Sequence, residues 1–357
     1  MDKNLYVVLM AGGIGTRFWP YSRNAKPKQY LDVLGTGKTL IQSTYDRFLP
    51  LCPKENILIV TNEDLADITK EQLQLGDEQV LVEPMRKNTA PCIAYASYRI
   101  AKKNPNAVMV VSPADHLILN EVEFQNTVKR SVADAKGGDR LITMGIKPTR
   151  PETGYGYIQY LAGSGQLKKV KTFTEKPALA LAKKFIDSGD FVWNSGIFVW
   201  SVASILKALE KFQPEIAEAF EEASAKFYTD DESKVIQSAY AQSKNISIDY
   251  AVMEKADNVY VYPSDFAWSD LGSWGSLHEI KDKDSDRNVV QANAMVYETR
   301  NSVIKGSPEK LIVVQGLDGY LVGEFDNVII VCQKDKEDLF RVFVNDLKAK
   351  PNGSDYL

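Results

Sequence analysis

The chain has 357 residues, 44% of them hydrophobic and 25% charged, more than one ordinary core requires; a main domain plus a smaller one is expected. A formal charge of -4 gives no general basic surface, so a nucleic-acid partner is excluded and any phosphate-bearing ligand must be held by local groups. Three widely spaced cysteines, Cys52, Cys92 and Cys332, argue against a disulfide framework, and no apolar run has membrane-spanning length, so a cytoplasmic protein with no membrane partner is expected.

In chain order, Leu5–Met10 is the first of five β-branched runs, followed by residues 57–61, 79–82, 107–112 and 141–145, with helical patterns in the gaps. In one gap, Ala90, Ile93, Ala94, Ser97 and Ala101 recur at helical spacing behind an Asn88 and Thr89 cap, the face of a crossover helix packing on a sheet. This alternation predicts an α/β protein with a doubly wound, mostly parallel sheet, whose ligands sit beyond the carboxyl ends of the strands. After about residue 150 the pattern mixes: a Gly/Tyr-rich segment over 152–158, a strand over 170–174 and helical stretches from 178 to about 255 read as an insertion over the same sheet. Short β runs at 294–297, 302–305, 311–314, 320–323 and 328–332 then lead to a helix over 335–348. The expected domains are residues 1–285 and a small, β-rich, β-helix-like region over 286–357.

The strongest local signal is the strand Leu5–Met10 running into Ala11, Gly12, Gly13, Gly15, Thr16 and Arg17, with Lys26-Pro27-Lys28 beyond. Glycines let backbone amides close around phosphate oxygens, and Arg17 and Lys28 add the charge that amides lack. Two other phosphate loops fail here. The dinucleotide fingerprint needs glycine where Phe18 stands, and the Walker-type loop needs it at Asp32. Asp115 directly follows the fourth run and projects from the carboxyl edge, although a helix cap explains it about as well. Asp270 lies among Trp268, Leu271 and Trp274, where a turn residue is the plainer reading. With only His116 and His278, histidine-dependent acid–base or zinc chemistry has little material.

The run GGIGTRFWPYSRNAKPK (12–28) resembles the first motif of the sugar-nucleotide pyrophosphorylases, and FTEKP (173–177) their second. EPMRKNTAPCIA (83–94), VVSPADH (110–116), WNSGIF (193–198), SIDYAVMEK (247–255) and WSDLGSW (268–274) are similar to the mannose-1-phosphate guanylyltransferases within that family. The tail 310–331 resembles their short C-terminal β-domain. The resemblance implies a Rossmann-like nucleotidyltransferase domain over most of 1–285. It implies Mg2+ on Asp115 and Asp270, with Arg17 and Lys28 on the triphosphate. Lys176 binds the sugar 1-phosphate, and Glu175 and Asn194 contact sugar hydroxyls.

Ala11, Gly12, Gly13, Gly15, Thr16, Glu83, Asn88 and Thr89 are assigned to the nucleotide. Glu83 is a candidate acceptor for the guanine N1–H and amino group, with Asn88 adding a contact. Gly154 permits close approach of the sugar, and a hairpin turn accounts for it nearly as well. The expectation is GTP and mannose 1-phosphate as substrates, a homodimer, and a single activity, because the bifunctional relatives carry an added isomerase domain. Two alternatives stay open: another nucleotide and sugar pair, or a non-catalytic subunit that binds sugar nucleotide. A P-loop hydrolase, resting on residues 35–39, is a distant third.

Overall fold

The computed structural model describes residues 1–357, the side chain of Glu337 excepted. The ordered elements begin with β1 (Leu5–Met10), α1 (Leu40–Phe48), β2 (Ile57–Asn62), α2 (Glu63–Leu73), β3 (Val80–Glu83), α3 (Thr89–Lys103), β4 (Val108–Pro113), the two-residue β5 (Leu117–Ile118), α4 (Glu121–Lys136) and β6 (Leu141–Ile146). There follow β7 (Gly156–Tyr160), β8 (Lys168–Glu175), α5 (Leu179–Ser188), β9 (Phe191–Ser201), α6 (Val202–Phe212), α7 (Pro214–Ser224), α8 (Glu232–Gln242), β10 (Val259–Ser264), β11 (Trp268–Ser269) and α9 (Trp274–Ile280). The chain ends with β12 (Val289–Gln291), β13 (Asn293–Tyr297), β14 (Val303–Lys305), β15 (Leu311–Gln315), β16 (Tyr320–Phe325), β17 (Val328–Gln333) and α10 (Glu337–Ala349). Among the described residues no helix is long and apolar enough to cross a membrane.

By contacts the chain forms two compact units. The first comprises residues 1–12, 42–114 and 118–268, the second residues 13–41, 115–117 and 269–357. The first is built on a nine-stranded sheet in the order β3-β2-β1-β4-β9-β6-β10-β8-β7. The four strands β3, β2, β1 and β4 are parallel, as are β6 and β10. Crossover helices impose that arrangement: Ala90, Ile93, Ala94 and Ser97 of α3 are fully covered and pack on Val8, Val60 and Val111. Because the four strands run the same way, Met10, Asn62, Glu83 and Pro113 end on one edge of the sheet. The segments that directly follow β1 and β3 carry Ala11, Gly12 and Asn88.

Two expectations are corrected. The stretch 178–255, read as helical, contains β9, which runs antiparallel between β4 and β6 in the middle of the sheet. Residues beyond 150 thus supply β7 to β10 as strands of the sheet rather than lying over it. The cause is burial: β9 is covered on both faces, so FVWNSGIFVWS shows no two-residue alternation to reveal it.

In the second unit, β12, β14 and β16 form one parallel ladder and β13 and β15 another, so that successive strands alternate between two sheets in a β-helix-like coil. β17 closes the first ladder by pairing antiparallel with β16. Its core brings Phe325, Ile330 and Phe340 together with Phe18, Trp19 and Trp274.

Candidate active site

Within the second unit the phosphate-type loop is fixed by sterics and hydrogen bonds. Gly15 has φ of +66°, and a Cβ there would lie 2.8 Å from Lys28 Cβ, so only glycine fits. Ser22 Oγ donates to the Ile14 carbonyl at 2.8 Å, and Gln29 Nε2 to that of Gly13 at 2.9 Å. Thr16 and Arg17 occupy a single 3-10 turn, Thr16–Phe18.

Lys28 is only 4% exposed. Its ammonium meets Asp115 Oδ2 at 2.7 Å and donates to the carbonyls of Asp270 at 2.7 Å and Leu271 at 3.2 Å. Burial pushes the Asp115 carboxyl up, but Lys28 and His116 outweigh it and hold the group below its ordinary value, hence ionised at neutral pH. Asp270 Oδ1 accepts from the Gly272 amide at 3.0 Å, and a Cβ on Gly272 would come within 2.7 Å of Asp270 Oδ2. Leu271 beside it has φ of +45°, a strained value for a non-glycine residue. Lys28 therefore gathers Asp115 and the Asp270 segment, two positions far apart in sequence. Among the described residues no three metal-ligating side chains cluster. Magnesium commonly takes one or two protein carboxylates and leaves its other positions to phosphate and water. Asp115 and Asp270 both keep partial solvent access, so the pair fits that ion.

The first unit holds the other candidates. Ala11 is pinned at the end of β1, its amide donating to Val60 O at 2.8 Å and its carbonyl accepting from Thr61 Oγ1 at 3.2 Å. Gly12 comes next: a Cβ there would stand 3.2 Å from Glu83 Oε2. Glu83 is 6% exposed, and its Oε1 accepts from the Tyr240 hydroxyl at 2.8 Å. Burial pushes its pKa up to about 7 against the opposing pull of Tyr240 and Arg86. Asn88 lies at φ 68°, ψ -169°, a region that glycine almost alone occupies, while its Oδ1 caps the Thr89 amide at 2.9 Å. Thr89 Oγ1 accepts from the Ile248 amide at 2.8 Å and so ties the start of α3 to the SIDYA segment.

A third group gathers where β7, β8 and β9 pair. Gly156 is in register with Glu175, and a Cβ on it would fall 2.5 Å from Glu175 Oε2 and 3.3 Å from Asn194 Cβ. Gly154, in contrast, is exposed in a turn, its amide donating to Glu152 Oε1 at 2.9 Å. Lys176 has φ of +47° and its ammonium pairs with Glu175 Oε1 at 2.7 Å. Asn194 donates to Asp249 Oδ1 at 2.9 Å. Asp249 retains some solvent access; the surrounding protein, with Glu175 adding repulsion, pushes its carboxyl up to about 6. Gly156, Tyr240 and Asp249 are residues that sequence reasoning missed. Asp249 stands within the quoted SIDYAVMEK segment but opens a π-helical turn, Asp249–Met253, which has no sequence period to expose it.

A glycine turn after the first strand and a buried lysine holding a partly exposed aspartate, in a chain that also carries a mostly parallel α/β sheet, are the features of a nucleotide-handling transferase. The nucleotidyl transferase family matches residues 6–287, and the chain belongs to it and is an enzyme of that family. The chain is 38% identical over 346 residues to the xanthan biosynthesis protein XanB of Xanthomonas campestris pv. campestris (strain B100), covering 96% of this chain and 73% of that one. It is 36% identical over 347 residues to the mannose-1-phosphate guanylyltransferase of Escherichia coli, covering 92% and 74%. The crystal structure of a mannose-1-phosphate geranyltransferase from Thermus thermophilus superposes with a TM-score of 0.87 at 31% identity, covering 97% of this chain and 99% of that one.

Proposed function

We propose that the protein transfers GMP from GTP to mannose 1-phosphate, giving GDP-mannose and pyrophosphate. The observation that carries this reading is Lys28, whose one ammonium holds the Asp115 carboxylate and the Asp270 and Leu271 carbonyls. The relative named mannose-1-phosphate guanylyltransferase supports the substrate pair. A sugar-phosphate oxygen attacks the α-phosphorus in line, one P–O bond forms as the bond to the β-phosphate oxygen breaks, and that electron pair leaves with pyrophosphate. Nothing in this step needs a protein nucleophile or base, so the residues position the reactants and stabilise charge.

Arg17 and Lys28 compensate the triphosphate, Lys176 holds the sugar phosphate, and Glu175 and Asn194 take its hydroxyls. Ala11, Gly12, Gly13, Gly15 and Thr16 receive the phosphates, with Glu83, Asn88 and Thr89 toward the base. Magnesium held by Asp115 and Asp270 would neutralise charge on the phosphates and the leaving group. Action in the cytoplasm as a homodimer belongs to the same proposal.

The test is a matrix of nucleoside triphosphates against sugar 1-phosphates with pyrophosphate as the readout. GTP with mannose 1-phosphate should be fastest, and chelation of the metal should abolish release. Preference for another pair would overturn the specificity, and release from GTP alone would make the protein a hydrolase.

A further inference from the structure

The Asn194 amide is oriented without ambiguity. The Gly196 amide, a donor only, lies 3.2 Å from Oδ1, and Thr143 Oγ1 lies 3.1 Å from the same oxygen, its one hydrogen shared with the Ile197 carbonyl at 3.1 Å. Nδ2 therefore faces Asp249 Oδ1, and that contact uses one of its two hydrogens. Asn194 is left with one donor, and its oxygen is turned toward the Gly196 amide and the Thr143 hydroxyl. A sugar hydroxyl needs an acceptor as well as a donor. Glu175 is partly committed, since Lys176 holds its Oε1.

Asp249 is the complementary group. Among the described residues Asn194 is the only side chain that donates to it, so Oδ2 keeps lone pairs without a side-chain donor. Its backbone is anchored: the Ile248 amide is bonded to Thr89 Oγ1, and the π-helical turn starts at Asp249 itself. Water still reaches it. A half-covered carboxylate beside a second carboxylate is costly unless hydroxyl donors satisfy it.

We propose that Asp249 is a specificity-determining residue of the sugar subsite, its Oδ2 accepting a hydrogen bond from a hydroxyl of the sugar 1-phosphate while Oδ1 holds Asn194 in place. This rests on reading the Glu175 and Asn194 group as that subsite. A site built to accept from a hydroxyl rejects the analogue without it far more strongly than an apolar pocket rejects an extra methylene. Asp249 thus contributes discrimination as well as affinity.

The test compares wild type with Asp249→Asn, which keeps the shape and offers a donor where the carboxylate accepted, using mannose 1-phosphate and its singly deoxygenated analogues. The expected result is a KM for mannose 1-phosphate raised about 10- to 100-fold, the worth of a hydrogen bond to a charged acceptor. The KM for GTP should stay unchanged, and discrimination against one deoxy analogue alone should disappear. Asp249→Ser, which removes the carboxylate with less demand on packing, serves if the amide variant does not fold. A near-normal KM in a folded variant overturns the proposal. So does an equal rise for both substrates, which is the mark of a structural role. If wild type does not use mannose 1-phosphate at all, the reading of the whole enzyme fails instead, and the two failures are distinguishable in one experiment.

Discussion

At position 83 a carboxylate is held where water scarcely reaches it. Its folded-state pKa of about 7 lies above the ordinary 4.5, so the protonated form is favoured by folding. The associated stability is complete below the unfolded value and is lost as pH rises through the folded one, a window from about 4.5 to about 7. Glu83→Gln does not titrate and keeps an acceptor for Tyr240. The variant should therefore gain in melting temperature relative to wild type between pH 5 and pH 8, by up to roughly 3 kcal/mol in stability. A gap of the same size at both pH values would mean that Glu83 titrates normally. On the proposed assignment the same variant reports on the base: an amide, a weaker acceptor than a carboxylate and a donor besides, should weaken GTP while leaving mannose 1-phosphate untouched.

At the scale of elements, the entry to α3 stores strain. Asn88 occupies a backbone region costing on the order of 1–3 kcal/mol, while the cap it provides is worth about 1 kcal/mol, of which glycine forfeits only a few tenths. Asn88→Gly should accordingly raise the denaturation midpoint and Asn88→Ala lower it. A glycine variant no more stable than the alanine variant would remove the case for strain. These features also mark how far the sequence could be read. β1, β2, β3, β4 and β6, with α3 between two of them, were legible because short β-branched runs alternate with a helical period. β9 was not, because a strand buried on both faces has no alternation. Lys28, Asp115 and Asp270 were identifiable as residue types in family motifs, but the ammonium shared among carboxylate and carbonyls is a tertiary fact. Asp249 acquires meaning only through Asn194, on a strand the pattern did not show.

For the molecule as a whole, residues 13–41 share a hydrophobic core with the chain's last ninety or so residues. Phe18 packs on Trp274 at 5.1 Å and Trp274 on Phe325 at 5.7 Å, and Lys28 lies 5.9 Å from the Phe18 ring. Deleting residues 287–357 removes Phe325, Ile330 and Phe340 from that core, and losing a buried aromatic side chain alone typically costs about 3–5 kcal/mol. The truncated protein should be less soluble, cleave readily within 13–41 under limited proteolysis, and lose turnover together with the loop. Full turnover by a folded truncation would show that the loop is held by other means.

The three acceptors of Lys28 also set a timetable. Two of them, the carbonyls of Asp270 and Leu271, stand 242 and 243 residues downstream of the lysine. A ribosome must add more than 240 residues after the lysine before that ammonium has all its partners, and closing so long a loop is slow compared with forming a helix. On the proposed assignment, a nascent chain that has emerged only through Asp115 carries one half of a metal pair and cannot spend nucleotide. On that assignment competence waits for the segment that carries Asp270 and Leu271.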